Sequence, residues 1–239
     1  VQLLTELLYE RDSYLQEFEA VVMEISDNGV VLDRTAFHPL SGGVANDTGF
    51  IKHGNDEYRV VNVVKSEDER ILHVIEPEPG FKAGCKVTGV IDWERRYRLM
   101  KLHTADHILA AVLYKEYSAL VTGGHIDPEK AKSDFSLEKG GKELFKQAIE
   151  EVNQIIAKGI DVKIYFLPRE EALKIPGIVK LAGRMPPDVK ILRIVEIPGV
   201  DIQADGGPHV SNTAEIGQIK LLKVENKGRG KRRVYFTLA

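Results

Sequence analysis

The chain carries a single cysteine, Cys85, among 239 residues, so no internal disulfide framework can hold it together. Cys85 lies in an alternating strand pattern and reads as a packing residue. No apolar run approaches the roughly 18 residues needed to cross a bilayer. The start, Val1-Gln2-Leu3-Leu4 followed by Glu6, lacks the basic segment of a signal peptide, and a cytoplasmic location is expected. No internal repeat is visible. Net charge is also scarce: 33 basic residues against 36 acidic give a formal −3, which alone assigns no partner.

What is present is globular: 43% hydrophobic and 29% charged residues, in a length that suits one large or two ordinary domains. The charge is unevenly placed. Between Lys220 and Arg233 stand seven basic residues (Lys220, Lys223, Lys227, Arg229, Lys231, Arg232, Arg233) against the single acid Glu225. Such a segment reads either as a phosphate-binding edge or as a solvated hairpin. A smaller cluster of Arg95, Arg96, Arg98 and Lys101, with Trp93 and Tyr97, precedes the histidines described below.

From about Leu15 to Asp92 the pattern is of short strands broken by turns: Phe18 to Ile25, the hairpin signal Asp27-Asn28-Gly29, Val30 to Arg34, Tyr58 to Val64, Ile71 to Ile75 and Cys85 to Ile91. This predicts a small β-barrel domain over residues 1–92. A long loop from Thr35 to Gly49 carries Ser41-Gly42-Gly43 and Asp47-Thr48-Gly49, and loops of that length tend to be functional. After Asp92 the period changes. Ala105, Ile108, Leu109 and Val112 mark one helix face; Leu144, Ala148, Val152, Ile155 and Ile156 mark another that stops at Gly159. Val162 to Phe166 alternates as a strand, Pro168-Arg169-Glu170-Glu171 opens a short helix, and Val189 to Ile197 is a further strand. Glu215 to Glu225 and Arg232 to Leu238 read as a closing hairpin with the basic residues at one sheet edge. The fold class expected is α+β, with a barrel domain at 1–92 followed by an α+β domain at 93–239.

Two fragments a hundred residues apart carry the chemistry. His103 and His107 stand four apart in the first helical stretch, on one face, so that both rings can reach one ion. His209 follows the turn Asp205-Gly206-Gly207-Pro208, where paired glycines let the backbone bend sharply. Three imidazoles and a carboxylate are suitable donors for one divalent metal. Taken singly, the helical pair fits ordinary core or surface histidines as well, and the glycine pair fits a plain turn.

The ordered pieces Ser41-Gly42-Gly43, Asp47-Thr48-Gly49, His103-Thr104-Ala105-Asp106-His107, Ser133-Asp134-Phe135-Ser136, Gly206-Gly207-Pro208-His209-Val210 and Thr213-Ala214-Glu215-Ile216-Gly217 resemble the editing domain of alanyl-tRNA synthetases. From about Leu8 to Leu238 the chain resembles the free-standing alanyl-tRNA editing proteins, the AlaX family, in the form with an N-terminal glycine-rich domain. The resemblance implies a trans-editing hydrolase that deacylates tRNA(Ala) carrying serine, with glycine left open as a second substrate, and with Zn²⁺ as cofactor. It implies His103, His107 and His209 as metal ligands. Where the family has a cysteine, this chain has Asp205, either a fourth, harder ligand or a bystander. Family members often carry a glutamine after the histidine helix where this chain has Gly123-Gly124.

On that reading the ion either polarises the ester or activates a water. Thr104 is placed to bond the serine hydroxyl or merely the local backbone. Asp106 is an imidazole-orienting partner or an exposed helix carboxylate. His125 lines the site or is an ordinary loop histidine. Gly206 and Gly207 shape the substrate cleft, the Ser41-Gly42-Gly43 loop approaches the tRNA end or serves as a barrel turn, and Lys231, Arg232 and Arg233 contact RNA. The partner implied is misacylated tRNA(Ala), with the oligomeric state open between monomer and homodimer. Two other classes remain: a three-histidine hydrolase of another ester, and a non-catalytic RNA-binding module with structural zinc.

Overall fold

The computed structural model describes residues 5–27, 29–178, 188–228 and 230–239. It divides into two compact units, Val1–Tyr97 and Arg98–Ala239. Asn28 of the hairpin signal and Arg229 of the basic segment lie outside the described residues.

Among its described residues the first unit contains eight strands: β1 (Glu6–Leu7), β2 (Glu17–Ser26), β3 (Gly29–Leu32), β4 (Arg34–Thr35), β5 (Gly49–His53), β6 (Asp56–Lys65), β7 (Ile71–Glu76) and β8 (Lys86–Ile91). Six of them close a barrel in the order β2-β3-β7-β6-β5-β8, while β1 and β4 form a short parallel pair. The alternating residues Phe18, Ala20 and Val22, with Val30, Leu32, Ile51, Val60, Val87 and Ile91, point inward and form the core, as period-two patterning requires of a closed sheet. Cys85 packs partly buried against this core. Sequence patterning gave five of the six barrel strands. The missing one, β5, follows a glycine and contains only two strongly apolar residues, Phe50 and Ile51, so its period is too short to see.

The loop between β4 and β5 is organised by a buried ion pair. Arg96, wholly buried, holds the Asp47 carboxylate with its Nε and Nη2 and donates to the carbonyls of Ser13 at 2.9 Å and Ala36 at 2.5 Å. Asp47 in turn accepts the His38 N–H at 2.6 Å. The Asp47-Thr48-Gly49 motif therefore supports the loop from inside. At its tip Ser41 and Val44 exchange backbone hydrogen bonds across Gly42 (φ 58°) and Gly43 (φ 82°). Both central residues of this two-residue turn need left-handed φ, which glycine alone adopts without strain.

Helix α1 (Trp93–Tyr117) follows. In the second unit come β9 (Val121–Ile126), β10 (Ala131–Ser136), α2 (Lys142–Ile156), β11 (Lys163–Pro168), α3 (Arg169–Ala172), β12 (Ile191–Ile197), β13 (Asp201–Ala204), β14 (Ile219–Asn226) and β15 (Lys231–Leu238). They form an antiparallel four-stranded sheet ordered β14-β15-β10-β9 and a three-stranded one ordered β11-β12-β13. The protein is thus a mixed, sheet-rich fold. From Leu99 to Leu113 α1 is buried on nearly every side, its polar residues His103, Thr104 and His107 included. Helix α2 buries Phe145, Ala148, Ile149, Val152 and Ile156. Its Asn153 side chain donates to the Ile219 carbonyl and accepts the Ile219 N–H, each at 2.9 Å, which ties it to β14.

Two expectations are corrected. Residues Thr213–Ile216 form a 3₁₀ turn capped by Asn212 and Glu215, so the closing hairpin begins only at Ile219. And β15 is not at an edge: β14 flanks it on one side and β10 on the other, so Lys231, Arg232 and Arg233 sit on an interior strand. Strands β9 and β10, rich in Gly, Ser, Asp and Lys, gave no apolar signal that would reveal this partner.

Candidate metal centre

Helix α1 presents His103 and His107 one turn apart, and the turn after β13 brings Asp205 and His209 to them. One donor atom from each of the four lies within 4.8 Å of every other. The rings pack closely: His103 stacks on His209 at 4.1 Å, and His107 stands edge-on to both, at 4.9 Å and 4.6 Å.

All three Nε2 atoms face one carboxylate. Asp205 lies 3.2 Å from His209 Nε2, 3.7 Å from His103 Nε2 and 3.9 Å from His107 Nε2. Donors around a tetrahedral zinc, at about 2.0–2.2 Å from the ion, stand roughly 3.4 Å from one another. The cluster is therefore of the right size and donor type for such an ion, with a small inward adjustment.

Each ring is held from behind through Nδ1. His103 Nδ1 donates to the Pro208 carbonyl at 3.2 Å, which can only accept. His107 Nδ1 donates to the Asp201 carboxylate at 3.1 Å, and Gln203 Nε2 donates to the same oxygen at 3.0 Å. His209 Nδ1 meets Thr104 Oγ1 at 3.0 Å, and that hydroxyl also accepts the Val210 N–H at 3.2 Å. For His103 and His107 these partners fix the tautomer with Nε2 bare, the form a metal requires. His209 Nε2 lies 3.2 Å from Asp205 Oδ1, to which it donates when protonated there; with Nδ1 donating to Thr104 instead, Nε2 is bare as in the other two rings.

The turn is built for close approach. Gly207 N–H donates to Asp205 Oδ1 at 2.7 Å. A Cβ on Gly207 would stand 2.7 Å from His103 Cε1 and 3.0 Å from its Nδ1, so only glycine leaves the ring in place. From below, Arg193 Nη1 donates to the carbonyls of Asp205 at 2.8 Å and Gly207 at 2.9 Å. Electrostatics are strongly coupled. Burial raises the Asp205 carboxyl, but the three imidazoles outweigh it and hold the group well below its ordinary range. Burial and the neighbouring His103 keep His209 well below the usual histidine value. Burial pulls His107 down too, yet the hydrogen bond to Asp201 and the charges of Asp205, Asp201 and Asp106 raise it overall. The His103, His107 and His209 side chains are 5%, 8% and 0% exposed, whereas that of Asp205 is 21% exposed and Gly206 is exposed. The cluster is open to solvent on the Asp205–Gly206 side.

Several expected residues do other work. Thr104 is wholly buried behind His209, its oxygen bonded to that ring and to the Val210 N–H, and so it positions the ring. Asp106 is part-buried and acts on His107 through its charge, while its side chain bonds Ser133. It accepts from buried Ser133 Oγ at 2.5 Å, and burial raises its carboxyl. Arg233 forks onto Asp134, its cross-strand partner, at 2.6 and 2.7 Å. Arg232 donates to the carbonyls of Gly140 at 3.0 Å and Glu138 at 2.6 Å. Of the three residues expected to contact RNA, these two secure the strand, and Lys231 is exposed. His125 lies half-buried on β9.

Asp201, Gln203 and Arg193 were not anticipated. A signal for the first two existed: in Asp201-Ile202-Gln203-Ala204-Asp205 the polar residues alternate, so a strand there turns all three to one face. Arg193, in an apolar strand, gave none.

A sheet-rich protein with a buried three-histidine, one-carboxylate cluster, opening beside a glycine turn, defines a candidate metal-binding protein. The family model described as the threonyl and alanyl tRNA synthetase second additional domain matches residues 192–235, which include Asp205 and His209, and that of class II (A) tRNA synthetases matches residues 10–95. The alanyl-tRNA editing protein AlaX-M of Saccharolobus solfataricus is 58% identical over 236 residues, 98% of this chain and 99% of its own. That of Methanosarcina acetivorans is 43% identical over 244 residues, with the same shares covered. The alanine–tRNA ligase of Ignicoccus hospitalis is 40% identical over 235 residues, 97% of this chain but 26% of the ligase. The chain belongs to the AlaX-M family of alanyl-tRNA editing proteins.

Proposed function

We propose that the protein is a trans-editing aminoacyl-tRNA deacylase: it hydrolyses the ester between tRNA(Ala) and a wrong amino acid, serine first and glycine second, in the cytoplasm where the tRNA is charged. The observation that carries this reading is the convergence of three Nε2 atoms on one carboxylate within 4.8 Å, open to solvent on a glycine-lined side, in a chain that runs the length of the editing proteins it matches.

His103, His107 and His209 would hold Zn²⁺ through Nε2, with Asp205 as a fourth, harder donor. When bound, the ion supplies positive charge and Lewis acidity at the ester. The chain's own residues do the rest. Pro208, Asp201 and Thr104 fix the three rings, so the donors are set before substrate arrives and no reorganisation accompanies the reaction. Gly206 and Gly207 leave the rim low enough for the 3′ adenosine ester to lie against the backbone. Selectivity follows from a second inspection. A synthetase pocket rejects an added hydroxyl by only about 10²-fold, whereas a site that bonds the hydroxyl can discriminate by about 10⁴–10⁵. Glycine, lacking the hydroxyl, would be admitted on size alone.

A second reading has one observation in its favour: four protein donors are the usual complement of a closed structural zinc site. Deacylation of seryl-, glycyl- and alanyl-tRNA(Ala), with and without chelator and restored zinc, separates the two. Zinc-dependent release of serine with alanine spared supports editing, and binding of tRNA without turnover of any ester supports the structural site.

A further inference from the structure

The four-stranded sheet has one covered and one open face, and the register fixes what stands on the open one. In β10 the residues Ala131, Ser133 and Phe135 are buried while Lys132, Asp134 and Ser136 are part-exposed; in β15 Val234 and Phe236 are buried between Arg233, Tyr235 and Thr237. Three rows cross the open face. Lys223 pairs with Tyr235, Tyr235 with Lys132 and Lys132 with His125. Glu225 pairs with Arg233 and Arg233 with Asp134, and Lys220 pairs with Thr237. At the hairpin end Lys227 meets Lys231 through a backbone bond of 3.2 Å.

The two acids on this face are already answered. Asp134 is gripped by Arg233, and Glu225 is bonded by Lys223 at 2.5 Å and by the Tyr235 hydroxyl at 3.2 Å. Lys132, Lys220, Lys227 and Lys231 are in excess of them, and Lys220, Lys227 and Lys231 are exposed. The sequence is acidic as a whole, with a formal charge of −3, so this is a concentration of positive charge against the average. Its one exposed large apolar side chain is Leu222, at the β14 bulge, too little apolar surface for a membrane or protein-core contact.

We propose that this open face binds the sugar–phosphate backbone of RNA, with Lys132, Lys220, Lys227 and Lys231 as phosphate contacts and Tyr235 as a flat surface between them. Resting on the editing reading, it names where tRNA lies on the second unit. It also moves the RNA contact away from Arg232 and Arg233, whose guanidinium groups are used within the sheet. Phosphate contacts of this kind set affinity and salt dependence without reading sequence.

The test is binding of unacylated tRNA(Ala) transcript to the full chain by fluorescence anisotropy from low to moderate salt. The variants are K132Q/K220Q/K227Q and, as a control on α2 and the turn after it, K142Q/K146Q/K158Q. The face variant is expected to bind about 10-fold or more weakly, with the slope of log K against log salt shallower by roughly 2–3, near one unit per lost phosphate contact. The control variant keeps wild-type affinity and slope. Thermal unfolding of both variants, unchanged from wild type, excludes misfolding as the cause. Equal affinity and slope in the face variant, or losses as large in the control, overturn the proposal, as does wild-type protein that binds no RNA. If the face variant loses binding while wild-type protein deacylates nothing, the RNA surface stands and the editing reading falls.

Discussion

The Asp201 carboxylate accepts the Nδ1 proton of His107 at 3.1 Å from 94 residues along the chain, and Gln203 fixes the same oxygen at 3.0 Å. The pair locks one imidazole of the cluster with its Nε2 turned to Asp205. Replacing Asp201 by Ala removes that lock and leaves the ring free to turn or to take the other tautomer. Zinc affinity, measured by competition with a chromophoric chelator, is expected to fall about 10–100-fold, with metal-free thermal stability changed far less than metal-loaded stability. Affinity equal to wild type would reduce Asp201 to a packing residue.

Gly207 makes a steric prediction. The Cβ of an alanine there would enter to 2.7 Å from His103 Cε1, so the ring must move off its position against Pro208. Zinc binding in the Gly207→Ala variant should weaken by about 10-fold or more, by the same logic of displaced ligand geometry. Gly206→Ala, at the exposed neighbour, should bind zinc as wild type does. Equal effects at the two glycines would show that the turn is limited by flexibility and not by the approach to His103.

His73 ties acid stability to the barrel. It is fully buried, with Nδ1 2.9 Å from the Val30 carbonyl and Nε2 2.8 Å from Thr35 Oγ1. Burial lowers its pKa from 6.5 to about 4, the Val30 carbonyl opposing only in part. Above pH 6.5 folded and unfolded chains both carry it neutral, and its full contribution is present. As pH falls from 6.5 to about 4 the unfolded chain takes up the proton and the folded one does not, so stability drops, by about 3 kcal/mol over the window. Urea unfolding of wild type against His73→Gln should show this slope in the first and its loss in the second. A variant that keeps the wild-type slope would place the acid sensitivity elsewhere.

The legible parts of the chain were those whose period is local. Strands such as Phe18–Ile25 and helices such as α2 announce one buried face, and His103 and His107 announce a shared face at helical spacing. Strand β5 and the pair β9–β10 lack that pattern, because their stability comes from neighbours in the barrel and the sheet and not from their own apolar alternation. The site divides in the same way. Residue type and spacing offered His103, His107, Asp205 and His209 as candidate donors, the resemblance joined them into one set, and they converge. The groups behind them are set by register and turn geometry across about a hundred residues: Asp201 behind His107, the Pro208 carbonyl behind His103, Arg193 under the turn. Charge was the least legible. Arg232 and Arg233 looked free in a basic run and are in fact spent on Gly140, Glu138 and Asp134.

Asp205 decides between the two functional readings, and changing it to Cys tests its place directly. The carboxylate is 3.2–3.9 Å from all three Nε2 atoms, a spacing that suits a shared ion. It is also the most solvent-accessible member of the four. If it is a ligand, Asp205→Cys replaces an oxygen donor with a softer thiolate, whose zinc bond of about 2.3 Å is only slightly longer than the roughly 2.0–2.2 Å of the carboxylate. Zinc should then bind more tightly, and the cobalt-substituted variant should show a thiolate-to-cobalt charge-transfer band that wild type lacks. Asp205→Ala should bind zinc more weakly through three histidines and expose a coordination position. Retained deacylation in that variant would make Asp205 a tuning ligand and not part of the chemistry. If Asp205→Cys leaves both zinc affinity and the cobalt spectrum unchanged, Asp205 is not at the metal, and three histidines alone define the centre.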